Sequence, residues 1–176
     1  MIRIRQASKD DAASIAQLHA KSWRLAYDGI LSDDYLSQEL DTDRLNDWTR
    51  RLSAPEKNQY VIVAESTDVP SGLVGFACAY GAFDEQVGTL LENLHAHPEH
   101  KKAGIGKLLL RQIALWNAQH YPDKFLHLWV LRKNKPAIGF YQHMGAVEDA
   151  EAIWDAPGGT LVPELRFTWY EPGKLI

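Results

Sequence analysis

Residues Leu94 to Lys107 read LHAHPEHKKAGIGK, and this segment restricts the possible folds more than any other. An apolar run, Gly88 to Ala96, stops just before Pro98; two glycines follow, and then Ile105, Leu108, Leu109, Ile113 and Trp116 recur at helical spacing. A strand therefore ends, turns and feeds a helix whose first turn carries Gly104 and Gly106. Such a turn leaves about four backbone N–H groups without partners, and the helix dipole adds partial positive charge there. Glycine lets a ligand approach that backbone closely. With Lys101, Lys102 and Lys107 at the same place, the segment reads as a pyrophosphate cradle. A glycine-containing turn with solvated lysines is the plainer reading of a bare G-x-G. Gly106-Lys107 is followed by Leu108, and Leu109 occupies the place of a third glycine, so neither an ATP/GTP loop nor a dinucleotide fingerprint is favoured.

The rest of the chain arranges itself around that junction. Met1 to Arg5 alternates apolar and basic residues as a short strand does, and Ser8 and Asp11 have the spacing of a capping box. Ala12, Ile15, Leu18, His19 and Ser22 form a helical stripe; a second helix is expected from near Ser32 and a third through Leu45, Trp48 and Leu52. After Pro55 the period shortens. Tyr60 to Glu65 and Leu73 to Tyr80 are apolar runs around a turn at Pro70, Ser71 and Gly72, which predicts an antiparallel pair. Phe125 to Leu131 is a further strand, Pro136 to Met144 a short helix, and Ala146 to Ile153 and Glu164 to Tyr170 two closing strands. This order predicts one α/β domain over residues 1–176. Its sheet is mixed, mostly antiparallel, of about six to seven strands flanked by helices.

At 176 residues a domain buries roughly 70% of the surface its unfolded chain exposes and needs no disulfide or metal staple. Lys+Arg 19 against Asp+Glu 23 leaves a net charge of -4, which argues against a general nucleic-acid or membrane-surface binder while leaving room for a local polyphosphate site. Cys78 is the single cysteine; it excludes a disulfide framework and, inside an apolar strand, reads as an inert core thiol. His95, His97 and His100 lack the spacing of a zinc site, so no metal is expected. No signal-peptide pattern and no apolar run approaching ~18 residues is present, and a cytoplasmic protein with no membrane contact is expected.

A second segment, Asn134 to Ala146, reads NKPAIGFYQHMGA. Pro136 suits a first helical position and Gly145 the residue just past a helix end. Tyr141, taken alone, reads as an ordinary packing aromatic before a functional one. The two segments together resemble the signatures of the GCN5-related N-acetyltransferase (GNAT) superfamily. Lys101-Lys102-Ala103-Gly104-Ile105-Gly106 is similar to its Gln/Arg-x-x-Gly-x-Gly/Ala motif, with Lys101 where Gln or Arg is usual. Asn134, Ala137, Phe140, Tyr141 and Gly145 match Asn-x-x-Ala-x-x-Phe-Tyr-x-x-x-Gly-Phe in register, and Ala146 replaces the final Phe.

The resemblance implies the GNAT fold, in which the fourth and fifth strands splay apart, and an enzyme that moves acetyl from acetyl-CoA to an amine. It implies that the backbone of Leu94, His95 and Ala96 holds the pantetheine arm. Lys101, Lys102, Ala103, Gly104, Ile105, Gly106 and Lys107 would hold the pyrophosphate, and Asn134 would contact pantetheine. Tyr141 would protonate the leaving thiolate. Glu92, on the fourth strand, is either a base or base relay, or a structural carboxylate paired with a cation. Strand alternation puts His95 and His97 on the face opposite Glu92; His127 is a further relay candidate. Trp23 and Tyr27, four residues apart, either flank the acceptor amine or pack against the sheet, and Trp129 and Trp154 stand as the opposite wall on the same grounds. Asp28, Asp33 and Asp34 either attract the amine or are simply solvated.

The chemistry independently needs such parts. A lysine-like amine of pKa about 10.4 is protonated at neutral pH and must lose a proton. The oxyanion needs N–H donors, and a tyrosine is still protonated at pH 7. The acceptor is expected to be a small molecule or peptide amine. A protein N-terminal or lysine acetyltransferase, or a non-catalytic acyl-CoA-binding module, is the alternative. A homodimer through the exposed-looking Trp169-Tyr170 region is compatible with the resemblance.

Overall fold

The computed structural model describes residues 2–67, 72–100 and 103–176. Strand β1 (Ile2–Gln6) leads through a 3-10 turn (Lys9–Asp11) into helix α1 (Ala12–Ala26). The expected capping box forms there: the Ser8 N–H donates to the Asp11 carboxylate at 2.7 Å. Asp11 also takes two bonds from Arg5, both at 2.8 Å, and this ion pair above all holds its carboxyl down near 2. A π turn (Tyr35–Glu39) runs directly into α2 (Leu40–Ser53). The two helices expected after Ser32 are thus one helical stretch, with the irregular turn where they were separated.

Strands β2 (Gln59–Ser66), β3 (Leu73–Asp84) and β4 (Gly88–Ala96) form the expected meander. In the β2–β3 turn, Pro70 and Ser71 lie outside the described residues. Helix α3 (Ile105–His120), β5 (Leu126–Leu131), α4 (Lys135–His143), β6 (Val147–Ala156) and β7 (Thr160–Trp169) complete the chain. Seven strands form one sheet in the order β1-β2-β3-β4-β5-β7-β6. Every neighbouring pair is antiparallel except β4 and β5, which run parallel. This is the mixed, mostly antiparallel sheet that the sequence predicted.

Each face of the sheet is covered by helices because each strand alternates two apolar sets. Ile62, Val74, Leu91, Leu128 and Phe167 pack with Leu109 and Ile113 of α3 and Ile138 of α4. Val63, Phe76 and Cys78 point the other way, against Ile15 and Leu18 of α1 and Trp48 of α2. A third cluster joins Trp23, Leu31, Tyr35 and Leu40 to Leu131 and Val162. It packs the α1–α2 region onto the far strands. Cys78 is fully buried, and burial above all pushes its thiol up to about 12, as an inert core thiol requires. Trp169, expected to be exposed, is buried at 3%, and its Nε1 donates to the Met144 carbonyl at 2.9 Å. The reason is sheet order: β7 lies between β5 and β6, so it is an interior strand although it comes last. Tyr170 next to it stays exposed.

Candidate active site at the split between two parallel strands

Strands β4 and β5 start tightly joined. The Thr89 N–H donates to the Phe125 carbonyl at 2.9 Å, and a Cβ on Gly88 would meet that same oxygen at 2.7 Å. Their register then holds only for Thr89 with Leu126 and Leu90 with His127. Beyond Leu90, β4 continues to Ala96 paired with β3 alone, so the splay expected from the resemblance is present. A β-bulge contributes to it. Cys78 faces Asn93 and Ala79 faces Leu91, which leaves Glu92 as the extra residue. Bulges bend their strand and break its alternation.

That break corrects one expectation. Strict alternation separates Glu92 from His95, but the bulge turns Glu92, Asn93 and His95 toward one face. Glu92, Asn93 and His95 all line a cleft of about 590 Å³ on the α1–α2 side. Trp23 of α1 and Tyr27 just past its end form part of its wall, with their rings 5.2 Å apart. Trp129 of β5 and Trp154 of β6 also line it, as do Glu164 of β7 and Arg44 and Arg51 of α2. The Trp154 ring meets Trp23 edge-on at 5.8 Å. The four aromatics named from sequence thus meet in one place. Asp28, Asp33 and Asp34 are not among the lining residues.

The charges in the cleft are not equivalent. Glu92 is held by Arg51, with Nη1 donating to Oε2 and Nη2 to Oε1 at 3.2 Å; Arg51 also pairs with Asp47. Glu92 is therefore a carboxylate paired with a cation, and that cation is largely buried rather than on the surface. Glu164 is half-buried, and burial raises its carboxyl above the usual range. Nothing local in the sequence marked Glu164. His95 stacks on Phe76 at 5.1 Å and lies 4.7 Å from the His19 ring. Burial, then Arg44, pushes His95 down to about 4, so its imidazole is neutral at pH 7. His19 behind it accepts from Trp48 Nε1 at 2.9 Å through Nδ1, which puts its own proton on Nε2.

The other predicted residues lie on the α3–α4 side. Gly104 caps α3 at φ 76, and a Cβ there would meet nothing within 4 Å. Its role in the fold is its left-handed backbone, and the space above it is open. Gly106 lies two residues further in, where a Cβ would come 3.4 Å from the Phe140 ring. Ala103 and Lys107 are exposed, while Ile105 is buried. Lys101 and Lys102 lie outside the described residues. The open helix start and the unpaired edge of β4 fit a phosphate-bearing, extended ligand. Asn134 has a structural task as well, since its side chain caps α4 by accepting from the Ala137 N–H at 3.4 Å.

Tyr141 is 9% exposed and packs edge-on against Phe140 and Trp169 at 5.4 and 6.0 Å. Burial first, and Tyr27 second, raise its phenol above the ordinary tyrosine range. Tyr27 is in turn pushed up to about 12 by burial and then by Glu164. His127 is buried at the closed end of the split, with Nδ1 unpartnered among the described residues, and is not among the cleft-lining residues.

Comparison with known proteins agrees with this architecture. The family model described as "Acetyltransferase (GNAT) family" matches residues 14–146. The uncharacterized N-acetyltransferase YuaI of Bacillus subtilis is 30% identical over 172 residues, covering 96% of this chain and 93% of that protein. The probable N-acetyltransferase Rv2775 of Mycobacterium tuberculosis is 29% identical over 174 residues, covering 96% and 94%. The PaiA N-acetyltransferase of Thermoplasma acidophilum, solved with coenzyme A, shares the fold at a TM-score of 0.66 and 24% identity, covering 93% of this chain and 98% of that one. A split sheet, a glycine-started helix and full-length relatives lead to one conclusion: the chain belongs to the GNAT family and is an acetyl-CoA-dependent N-acetyltransferase.

Proposed function

We propose that the two substrates reach the β4–β5 split from opposite faces of the sheet. Acetyl-CoA lies on the α3–α4 side, with its pyrophosphate on the helix start from Lys101 to Lys107 and its pantetheine along the backbone of Leu94, His95 and Ala96, near Asn134. The amine enters from the aromatic cleft, between Trp23, Tyr27, Trp129 and Trp154. The observation that carries this reading is the loss of β4–β5 pairing beyond Leu90, because it opens a passage between the two sides and frees strand N–H groups for a ligand.

In this arrangement the amine nitrogen attacks the thioester carbonyl carbon. Backbone N–H groups of β4 stabilise the oxyanion. The C–S bond then breaks, and Tyr141 gives its phenolic proton to the leaving sulfur. Its buried environment keeps that proton in place at neutral pH. Glu92 is held by Arg51 through both carboxylate oxygens. Its part in this reading is to fix the cleft wall and to add negative charge near the incoming ammonium.

Aromatic walls around an acidic interior suit a small cationic amine, and a peptide amine of the same kind is the extension of that class. A cytoplasmic setting and a homodimer belong to the same proposal. Among the described residues no helix is long and apolar enough to cross a membrane. β6 is the last strand of the sheet, with Val147 and Ile153 exposed. Calorimetric titration with acetyl-CoA, CoA and ATP tests the donor side, and thiol release with an amine panel tests the acceptor side. Binding of both CoA species but not ATP, followed by turnover, is the expected result. Absence of CoA binding would overturn the reading.

A further inference from the structure

We propose that Glu164, not Glu92, takes the proton from the acceptor ammonium; this rests on the functional reading above and deepens it. Three observations point there. Glu164 lines the aromatic cleft together with Tyr27, Trp129 and Trp154. It has no hydrogen-bond or ion-pair partner among the described residues, whereas Glu92 is held by Arg51 through both carboxylate oxygens. It stands on β7 opposite Leu131, which itself lines the cleft beyond the point where β4 and β5 part.

The position on β7 explains why this carboxylate is available. Glu164 is the register partner of Leu131 at the open end of β5 and of Ala152 on β6, both apolar. The nearest cation on its own strand and face, Arg166, is taken by Asp149 at 2.7 Å. The charged and titratable groups around it are Tyr27 just past α1, Arg44 and Arg51 from α2, Glu92 and His95 from β4, and Asp155 from β6. Arg51 is committed to Glu92 and Asp47, and Arg44 to Asp43 at 3.1 Å. His95 is neutral at pH 7, and burial holds it down. Burial raises the Glu164 carboxyl, and a raised carboxyl better holds a proton taken from an ammonium.

The protons balance. The ammonium loses one proton to Glu164, which later releases it to solvent. The neutral amine forms the C–N bond, and the intermediate loses CoA sulfur as the C–S bond breaks. Tyr141 protonates the sulfur, and the second proton leaving nitrogen restores the Tyr141 phenol. The net yield is amide, CoA thiol and one proton.

The test compares Glu164→Gln and Glu92→Gln with the wild-type protein. The pH profile of kcat/KM would be measured with tryptamine, spermidine and a lysine-containing peptide as acceptors, alongside calorimetric affinity for CoA. Glu164→Gln is expected to lower kcat by about 10²–10³-fold and to remove the acidic limb of the profile, with CoA affinity unchanged and partial recovery in Glu164→Asp. Glu92→Gln is expected to keep the acidic limb. A Glu164→Gln protein that keeps that limb, or a Glu92→Gln protein that loses it, would overturn the assignment while leaving the acetyltransferase reading intact. If the wild type turns over none of the three acceptors, NMR of protein carrying ¹³C-labelled glutamate decides. A Glu164 carboxyl that titrates in the ordinary carboxylate range with CoA and tryptamine present overturns the proposal; one that titrates above that range supports it. Lack of CoA binding by the wild type would instead count against the functional reading.

Discussion

Arg51 Nη2 lies 3.2 Å from Glu92 Oε1, and through this ion pair helix α2 grips the bulge in β4. The two residues are 41 positions apart in the chain. The pair joins the acceptor wall to the strand that bends away from β5, so it affects both the shape and the charge of the cleft. Removing the cation leaves a partly buried carboxylate without its partner. Arg51→Met is expected to cost about 1–3 kcal/mol, which for a chain of this size lowers Tm by about 2–4 °C per kcal/mol. Thermal unfolding checks this; an unchanged Tm would mean that the ion pair does not brace the bulge.

Tyr141→Phe keeps the ring that packs on Phe140 and Trp169 and removes only the phenolic oxygen. Turnover is expected to fall by about 10²–10⁴-fold, with CoA affinity and Tm nearly unchanged. Steady-state kinetics beside calorimetry reads both. An equal loss in turnover and CoA binding would sink the proton-donor role.

The two glycines of the helix start separate fold from ligand. At Gly106 a Cβ would sit at ordinary contact distance, 3.4 Å, from Phe140, and alanine favours the helix by about 1 kcal/mol. Gly106→Ala is therefore expected to fold at least as stably as the wild type while binding CoA at least about tenfold more weakly, a loss of roughly 1.4 kcal/mol. Gly104→Val differs, because φ is 76 there and a β-branched residue is strained in that region. It is expected to lose stability as well as CoA affinity. Undiminished CoA affinity in Gly106→Ala would argue against the pyrophosphate cradle.

Two imidazoles, one in the core and one in the cleft wall, set an acid limit. His19 is held well below its ordinary value by burial above all, and His95 is pushed down to about 4. In the unfolded chain both take up a proton near pH 6.5. The unfolded state therefore binds more protons than the folded state as pH drops below about 6.5, and stability falls with it. Above that pH the contribution is constant. Urea unfolding between pH 7 and pH 4 is expected to show a declining stability, with a smaller decline in His95→Gln. An identical slope in that variant would exclude His95 as a source.

Which features were legible in the sequence follows from how far their causes reach. The capping box at Ser8 and Asp11, Gly104 at the start of α3 and Gly145 past the end of α4 are set by residues a few positions apart. They appeared where expected. The strand periods did as well, because alternation reflects the two covered faces of the sheet. The two helices expected after Ser32 are one continuous stretch for a different reason. A π turn keeps helical character through Tyr35–Glu39, so the pattern changes phase without the helix ending.

By itself, the sequence determined the order of elements, the glycine-started helix after β4 and the placing of Asn134 at the start of α4 with Tyr141 within it, all of which rest on short-range spacing. Tertiary structure alone decided that β7 lies between β5 and β6, which buries Trp169. It also decided that a bulge at Glu92 turns Glu92 and His95 to one face, that Arg51 pairs with Glu92, and that the Glu164 carboxylate faces the cleft with no partner among the described residues. A carboxylate's chemistry depends on which charges and how much water surround it after folding. Those neighbours come from α1, α2, β4 and β6, and only packing brings them together.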